Sequence, residues 1–283
     1  MITLLILLAG LQVHEWGVIT QNPLTFSGTS SESEPWGEEE YEDKAPVVYF
    51  HGDPCTVTVR INFPSMGYAT NLLPEADEGG QNSTYILWED LVLTESPEPE
   101  LSLGWSRCDD LGYPVSLWRD VDALFVEAGD RFDHFVYYEC TPGNPGDLPF
   151  ISESGNQSFR MPYGEIPCLV LSPAAGRPMF GVFTLAEILT DIPKGLQFLE
   201  EPAQIRRVLW RWGEGILNED EFDSFWNTWE AQFLEDSSTE VMVLYCVPQE
   251  TVEQIASIEV ISDSPMEVVF NRFIIAELPY RTQ

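Results

Sequence analysis

From residue 55 to 63 the chain reads CTVTVRINF, and its hydrophobic pattern repeats every two residues. Val57, Val59, Ile61 and Phe63 fall on one side of an extended backbone, while Thr56, Thr58, Arg60 and Asn62 fall on the other. That alternation specifies a half-buried β-strand, which needs hydrogen-bonded neighbours and a second layer over its apolar side. The apolar run PVVYF (46–50) and the turn HGDP (51–54) predict that the preceding strand is its hairpin partner. Further strands are predicted at Val13–Thr20 and at 84–93, 121–127, 132–139, 166–171, 178–184, 240–247, 257–261 and 266–278. Pro- and Gly-rich connections such as TPGNPGDLP (141–149) separate them. Short strands divided by such turns predict an antiparallel β-sandwich-like core. The strand, Gly-rich turn and helix sequence of nucleotide-binding folds is not found.

Helical spacing appears only after Pro202. Ile205, Val208, Leu209 and Trp212 recur at one helical face, and Gly213 and Gly215 end the run. Asn218 then reads as an N-cap with Glu221 three residues on, an Asn variant of the capping box. Phe222, Phe225, Trp226, Trp229 and Phe233 form the apolar stripe of this second helix and are expected to be core. The fold class expected is therefore α+β, mainly β: an antiparallel β-sandwich-like core with a C-terminal αα-hairpin insertion. A β-rich domain is assigned to 13–190, with a mobile acidic loop at 27–43. The hairpin and the returning strands occupy 191–283, either as a separate unit or as part of the same domain.

Charge narrows the partners. The chain carries 47 Asp plus Glu against 13 Lys plus Arg, a formal net charge of −34. Nucleic acid is excluded as an expected partner, because phosphate binding draws on clustered Lys and Arg. Divalent cations or a cationic partner suit such a surface. Residues 1–12 begin with the apolar run MITLLILLAGL, too short for a membrane span and of the length of a secretory signal core. The chain is accordingly expected to be exported, to the periplasm, the cell envelope or the exterior, with no membrane span. Cys55, Cys108, Cys140, Cys168 and Cys246 lack metal-site spacing, and in an oxidising compartment disulfides are expected among them.

The opening HEWGVIT (14–20) resembles the HEWGTFT motif that begins the mature chain in a family of uncharacterised exported bacterial proteins, known chiefly from planctomycetes and myxobacteria. APVVYFHGDPCTVTVRINFP (45–64) is similar to that family's PVIYFY segment and its V-x-V-x-FP strand. WRDVDALFVEAGDRFDHFVYY (118–138) looks like its AR-x-x-DA stretch and FLFYRG strand, and GILNEDEFDSFWNTWEAQFLED (215–236) like its GL-x-x-x-EA…TW-x-x-SWFEEG region. The resemblance implies export and a shared fold, and it carries no known chemistry. Glu139 and Glu230 stand where the family has arginines, and Phe233 where it usually has Trp. A family site that depended on those arginines would be lost here.

Few side chains suggest chemistry. His14, His51 and His134 are the three histidines, scattered among the predicted strands and turns without H-x-H or HExxH spacing. They are the catalytic candidates, but no metal site and no cofactor is assigned. His14 and Glu15 are neighbours on a strand, so they face opposite sides and do not share an ion. With 47 acids, pairs such as Glu89–Asp90 beside Trp88, or Asp109–Asp110 near Trp105, arise from composition alone. Arg119 and Asp122 are expected to form a structural ion pair. Arg206, Arg207 and Arg211 form a possible anion or partner patch, with pairing to nearby acids such as Glu214, Glu219 or Glu230 the expected state. The function expected is a non-enzymatic binding or structural role in the cell envelope. The rival is a carboxylate- or metal-dependent hydrolase with its site between the β core and the helical hairpin. The rival requires two or more of the histidines to converge with carboxylates within about 5 Å.

Overall fold

The computed structural model describes the 283-residue chain except for residues 1–9, 21–23, 26–42, 65–66, 142–149, 154–155, 160–162, 174–177, 189–194, 237–240 and 282–283. Most of the leader and nearly all of the acidic loop 27–43 lie outside the described residues. The principal strands are β1 (Gly10–Thr20), β2 (Asp43–Gly52), β3 (Cys55–Asn62), β4 (Tyr68–Leu73), β5 (Tyr85–Thr94), β6 (Phe125–Ala128), β7 (Arg131–Asp133) and β8 (Val136–Thr141). After them come β9 (Pro167–Ser172), β10 (Met179–Thr184), β11 (Val241–Cys246), β12 (Ser257–Ser262) and β13 (Glu267–Arg281). The helices used below are α1 (Val115–Trp118), α2 (Ala203–Gly213), α3 (Glu219–Asp236) and α4 (Gln249–Ile255).

The protein is mainly β, with two large sheets and the expected αα-hairpin, α2–α3. The larger sheet runs β10–β9–β11–β13–β1–β2–β8–β4, with Gln197–Phe198 beyond β10. The smaller runs β12–β3–β5–β6–β7, with Ser102–Leu103 beyond β7. Most pairings are antiparallel, but the central β1–β13 pair is parallel. These strands lie near the two ends of the described chain, so no tight hairpin turn dictates their relative direction.

The two halves of the predicted hairpin belong to different sheets. β2 pairs with β1 and β8 in the larger sheet, whereas β3 pairs with β12 and β5 in the smaller. The reason lies in their burial. Val47, Val48, Tyr49 and Phe50 are all buried, which suits a strand covered on both faces. β3 instead buries Val57, Val59 and Ile61 and leaves the alternate side chains half-exposed. Gly52 makes the crossing at φ 125°, and a Cβ there would come 2.1 Å from the Gly10 carbonyl oxygen. β1 begins at Gly10, so Gly10–Gln12, assigned to the leader, belong to the central strand, and Leu11 is fully buried.

β1 fixes what each face of the larger sheet meets. His14 and Trp16 share one side, and Trp16 packs 5.9 Å from Phe225 of α3 and 5.9 Å from Trp118 of α1, ring centre to ring centre. Phe273, the register partner of Trp16, meets Phe225 at 5.2 Å. On the other face Tyr138 of β8 meets Phe63, which ends the β3 segment, at 6.0 Å. Helices α1 and α3 thus cover one side, and the smaller sheet together with α4 covers the other. Phe222, Phe225, Trp226, Trp229 and Phe233 are all buried, so the α3 stripe is core, each ring contributing roughly 1.5–3 kcal/mol of burial.

No disulfide joins Cys55, Cys108, Cys140, Cys168 and Cys246, against the expected disulfides. Cys168 and Cys246 illustrate why proximity along paired strands is not enough. Cys168 is in register with Tyr245, and alternation turns the next residue, Cys246, to the opposite face.

Candidate metal centre

Two strands and a helix N-terminus bring His14, His51 and Glu221 together. β1 and β2 are antiparallel, with Gln12 opposite His51 and His14 opposite Tyr49. His14 and His51 are therefore diagonal neighbours on one face, their rings 4.7 Å apart. Glu221 comes from the first turn of α3, laid over that face by its aromatic stripe. Its backbone N–H donates to Asn218 Oδ1 at 2.9 Å, and its Oε2 accepts the Asn218 N–H at 2.8 Å, which is the predicted capping box.

The same carboxylate serves both imidazoles. Glu221 Oε2 lies 2.8 Å and Oε1 3.0 Å from His14 Nδ1, while Oε1 lies 2.8 Å from His51 Nε2. The side chains of His14, Glu221 and His51 are 9%, 0% and 18% exposed, so the cluster is closed on the protein side and open at His51. Burial pushes the Glu221 carboxyl upward. Hydrogen bonds with His14 and His51, the charge of His14 and the Asn218 amide outweigh that effect and hold it below the usual 4.5.

One nitrogen from each ring and one carboxylate oxygen lie mutually within 4.8 Å. Around a tetrahedral ion with bonds of about 2.0–2.2 Å, neighbouring donor atoms sit roughly 3.3 Å apart. The observed contacts are a little shorter than that, so seating an ion asks for a separation of about half an ångström. Two imidazoles and a carboxylate form a donor set of nitrogen and oxygen, suited to zinc and to divalent iron. This departs from the assignment of no metal site, which rested on local spacing. Register between β1 and β2, not spacing within either, brings the histidines together. Glu221 was recognisable in sequence only as a cap.

The other sequence candidates lie apart from this cluster. His134 packs against Phe125 with the rings tilted and their centres 4.3 Å apart, and burial depresses its pKa. Arg119 is held by Asp133, through Nε at 3.0 Å and Nη2 at 2.9 Å, whereas the expected partner Asp122 is exposed. Asp133 is fully buried and Asp122 lies exposed in the irregular segment before β6, which is why the more distant residue captures the guanidinium. Arg206 pairs with Asp223 and lies over the Phe222 ring at 5.5 Å, and Arg207 faces Glu201 at 3.7 Å with both largely exposed. Arg211 is exposed in the last turn of α2. Two of the three arginines thus hold acids, though not the acids expected. Trp88 and Trp105 are buried, donating to the Pro74 and Phe135 carbonyls.

No helix among the described residues is long and apolar enough to cross a membrane. No protein-family model, curated protein or solved structure matches the chain.

Proposed function

We propose that the protein is an exported, acidic metal-binding protein that holds one divalent transition-metal ion among His14, His51 and Glu221. The observation that carries this reading is the convergence of two imidazole nitrogens and a buried carboxylate, from three separate elements, within 4.8 Å. The net charge of −34 supports it, since a strongly negative surface raises the local concentration of cations. Export is supported by the apolar composition of residues 1–9, which precede β1, and by the resemblance of HEWGVIT to the opening of an exported family.

The residues divide the work by position. Glu221 supplies the negative charge, fixed by its capping bonds with Asn218. His14 is anchored in the middle of β1, and His51, beside the turn, is the more exposed ligand. An ion bound here would supply Lewis acidity, and the opening at His51 leaves room for a water or a ligand from solvent. That opening, at the seam between the β core and the hairpin, favours hydrolysis as the second reading.

Elemental analysis of the purified protein, followed by zinc titration calorimetry, tests the proposal. One zinc per chain is expected in the wild type, with at least a hundredfold weaker binding, about 2.7 kcal/mol, after His51→Ala. Wild-type protein that takes up no divalent ion, or a His51→Ala variant that binds as tightly, overturns it.

A further inference from the structure

Nε2 of His14, the ring nitrogen turned away from Glu221, faces two side-chain amides. Gln12 Oε1 is 3.2 Å away and Asn271 Nδ2 is 2.9 Å away. Strand geometry puts them there. Gln12 and His14 are two apart on β1 and share a face, and Asn271 is the register partner of His14 on the parallel strand β13. Gln12 is exposed and Asn271 is half-buried, so both sit at the rim of the cluster.

A ring nitrogen that carries a proton donates, and one that does not accepts. Gln12 Oε1 is an acceptor and Asn271 Nδ2 is a donor, so the two contacts cannot both be hydrogen bonds of one tautomer. They suit two different states of the same ring. With the proton on Nδ1, His14 donates to the Glu221 carboxylate and Nε2 accepts from Asn271. With the proton on Nε2, His14 donates to Gln12 and its Nδ1 lone pair points at the Glu221 oxygens 2.8–3.0 Å away. Two acceptors at that separation repel unless a cation lies between them. The second state is therefore the one that ligates a metal through Nδ1.

We propose that Gln12 and Asn271 are opposed positioning residues, Gln12 holding His14 in its metal-ligating tautomer and Asn271 holding it in the metal-free one. This inference rests on the metal-binding reading above. The ring would then accept an ion without losing a proton overall, because the hydrogen leaves Nδ1 and one is taken up at Nε2. Ligating histidines commonly donate their other ring N–H to an outer acceptor, and loss of that acceptor weakens metal binding by roughly 10–100-fold. Because Gln12 is exposed and water can partly replace it, the lower end of that range applies. Asn271 works in the other direction, since its donor satisfies the state that cannot bind.

The test is zinc titration calorimetry on the full chain as wild type, Gln12→Leu, Gln12→Glu and Asn271→Leu. Gln12→Leu is expected to raise the zinc Kd about tenfold, while Gln12→Glu, which keeps an acceptor, binds at least as tightly as wild type. Asn271→Leu is expected to lower the Kd. Opposite signs are the signature, because two residues that merely support the rim would weaken binding together. A ¹H–¹⁵N spectrum of the imidazoles supplies a second readout: the His14 proton is expected on Nδ1 without zinc and on Nε2 with it. The inference is overturned if Gln12→Leu binds like wild type, if Asn271→Leu does not bind zinc more tightly than wild type, or if the tautomer does not change. Failure of the metal-binding reading looks different: wild type then takes up no zinc at all.

Discussion

Adjacent residues of β1 carry ionisable side chains to opposite faces of the larger sheet, and the surroundings treat them differently. Glu15 is fully buried, accepts from the Tyr138 hydroxyl at 2.5 Å and is paired through Nε of Arg272, its register partner on β13. Arg272 is tied further to Glu253 at 2.9 Å and to the Ala256 carbonyl at 2.7 Å. On the helix-covered face His14 meets the buried carboxylate of Glu221, whose other side-chain partner is a second histidine. Both carboxylates are satisfied, but by different kinds of partner. A guanidinium stays protonated and cannot ligate a metal, so the Glu15 network is locked. An imidazole can give up its proton and offer a lone pair instead, so the Glu221 cluster can exchange its hydrogen bonds for an ion. A buried charge with permanent partners is a structural device, whereas one with exchangeable partners has the means to bind.

The same substitution at the two carboxylates separates these roles. Glu15→Gln leaves the Arg272 charge buried beside an amide, and breaking such a pair from one side costs about 3–5 kcal/mol. The lower figure is expected because Glu253 still faces the guanidinium. Urea denaturation measures it, and a loss of stability too small to resolve would show the Glu15 face to be as adaptable as the other.

Zinc should act on one face only. At a free concentration about a hundredfold above its Kd, a ligand specific for the folded state adds about 2.7 kcal/mol. Wild type and Glu15→Gln are both expected to gain that increment in thermal melts, and Glu221→Gln is expected to gain little. Equal gains by all three proteins would place the ion away from Glu221.

Much of the scaffold behind this contrast is written locally in the chain. The period of two in β3 and the aromatic stripe of α3 each report which side of an element is buried. The Asn218–Glu221 spacing reports a cap, and the structure contains it. What such patterns cannot report is the neighbour across a strand. Nothing within HEWGVIT or PVVYFHG says that β1 and β2 pair with Gln12 opposite His51, and that register alone makes two scattered histidines a cluster. The same limit explains Arg119, where short spacing suggested Asp122 and the fold supplied Asp133. It explains the lost hairpin too, although there a clue was present: a run buried on both faces and a run buried on one belong in different sheets. His14 and Glu15 lie between these cases. Their opposite orientation follows from alternation alone, but their partners come from elements far along the chain.

The smallest effect expected is also the most specific to Glu221. Gln at this position can still close the capping box and accept a hydrogen bond from an imidazole, so Glu221→Gln in metal-free protein should cost only about 1 kcal/mol near neutral pH. That difference should then depend on acid. In the folded protein the carboxyl is held below 4.5, burial pushing it up but the His14 and His51 hydrogen bonds prevailing. A carboxylate whose folded pKa is depressed contributes fully above its unfolded value, and the contribution is lost as pH falls through the folded value. The stability gap between wild type and Glu221→Gln should therefore narrow as pH drops from about 5 to about 3, measured by urea denaturation at each pH. The glutamine variant has no proton to take up at that position, so other carboxylates common to both proteins cancel in the comparison. A gap that stays constant or widens over that interval would mean that the two imidazoles do not hold Glu221 ionised.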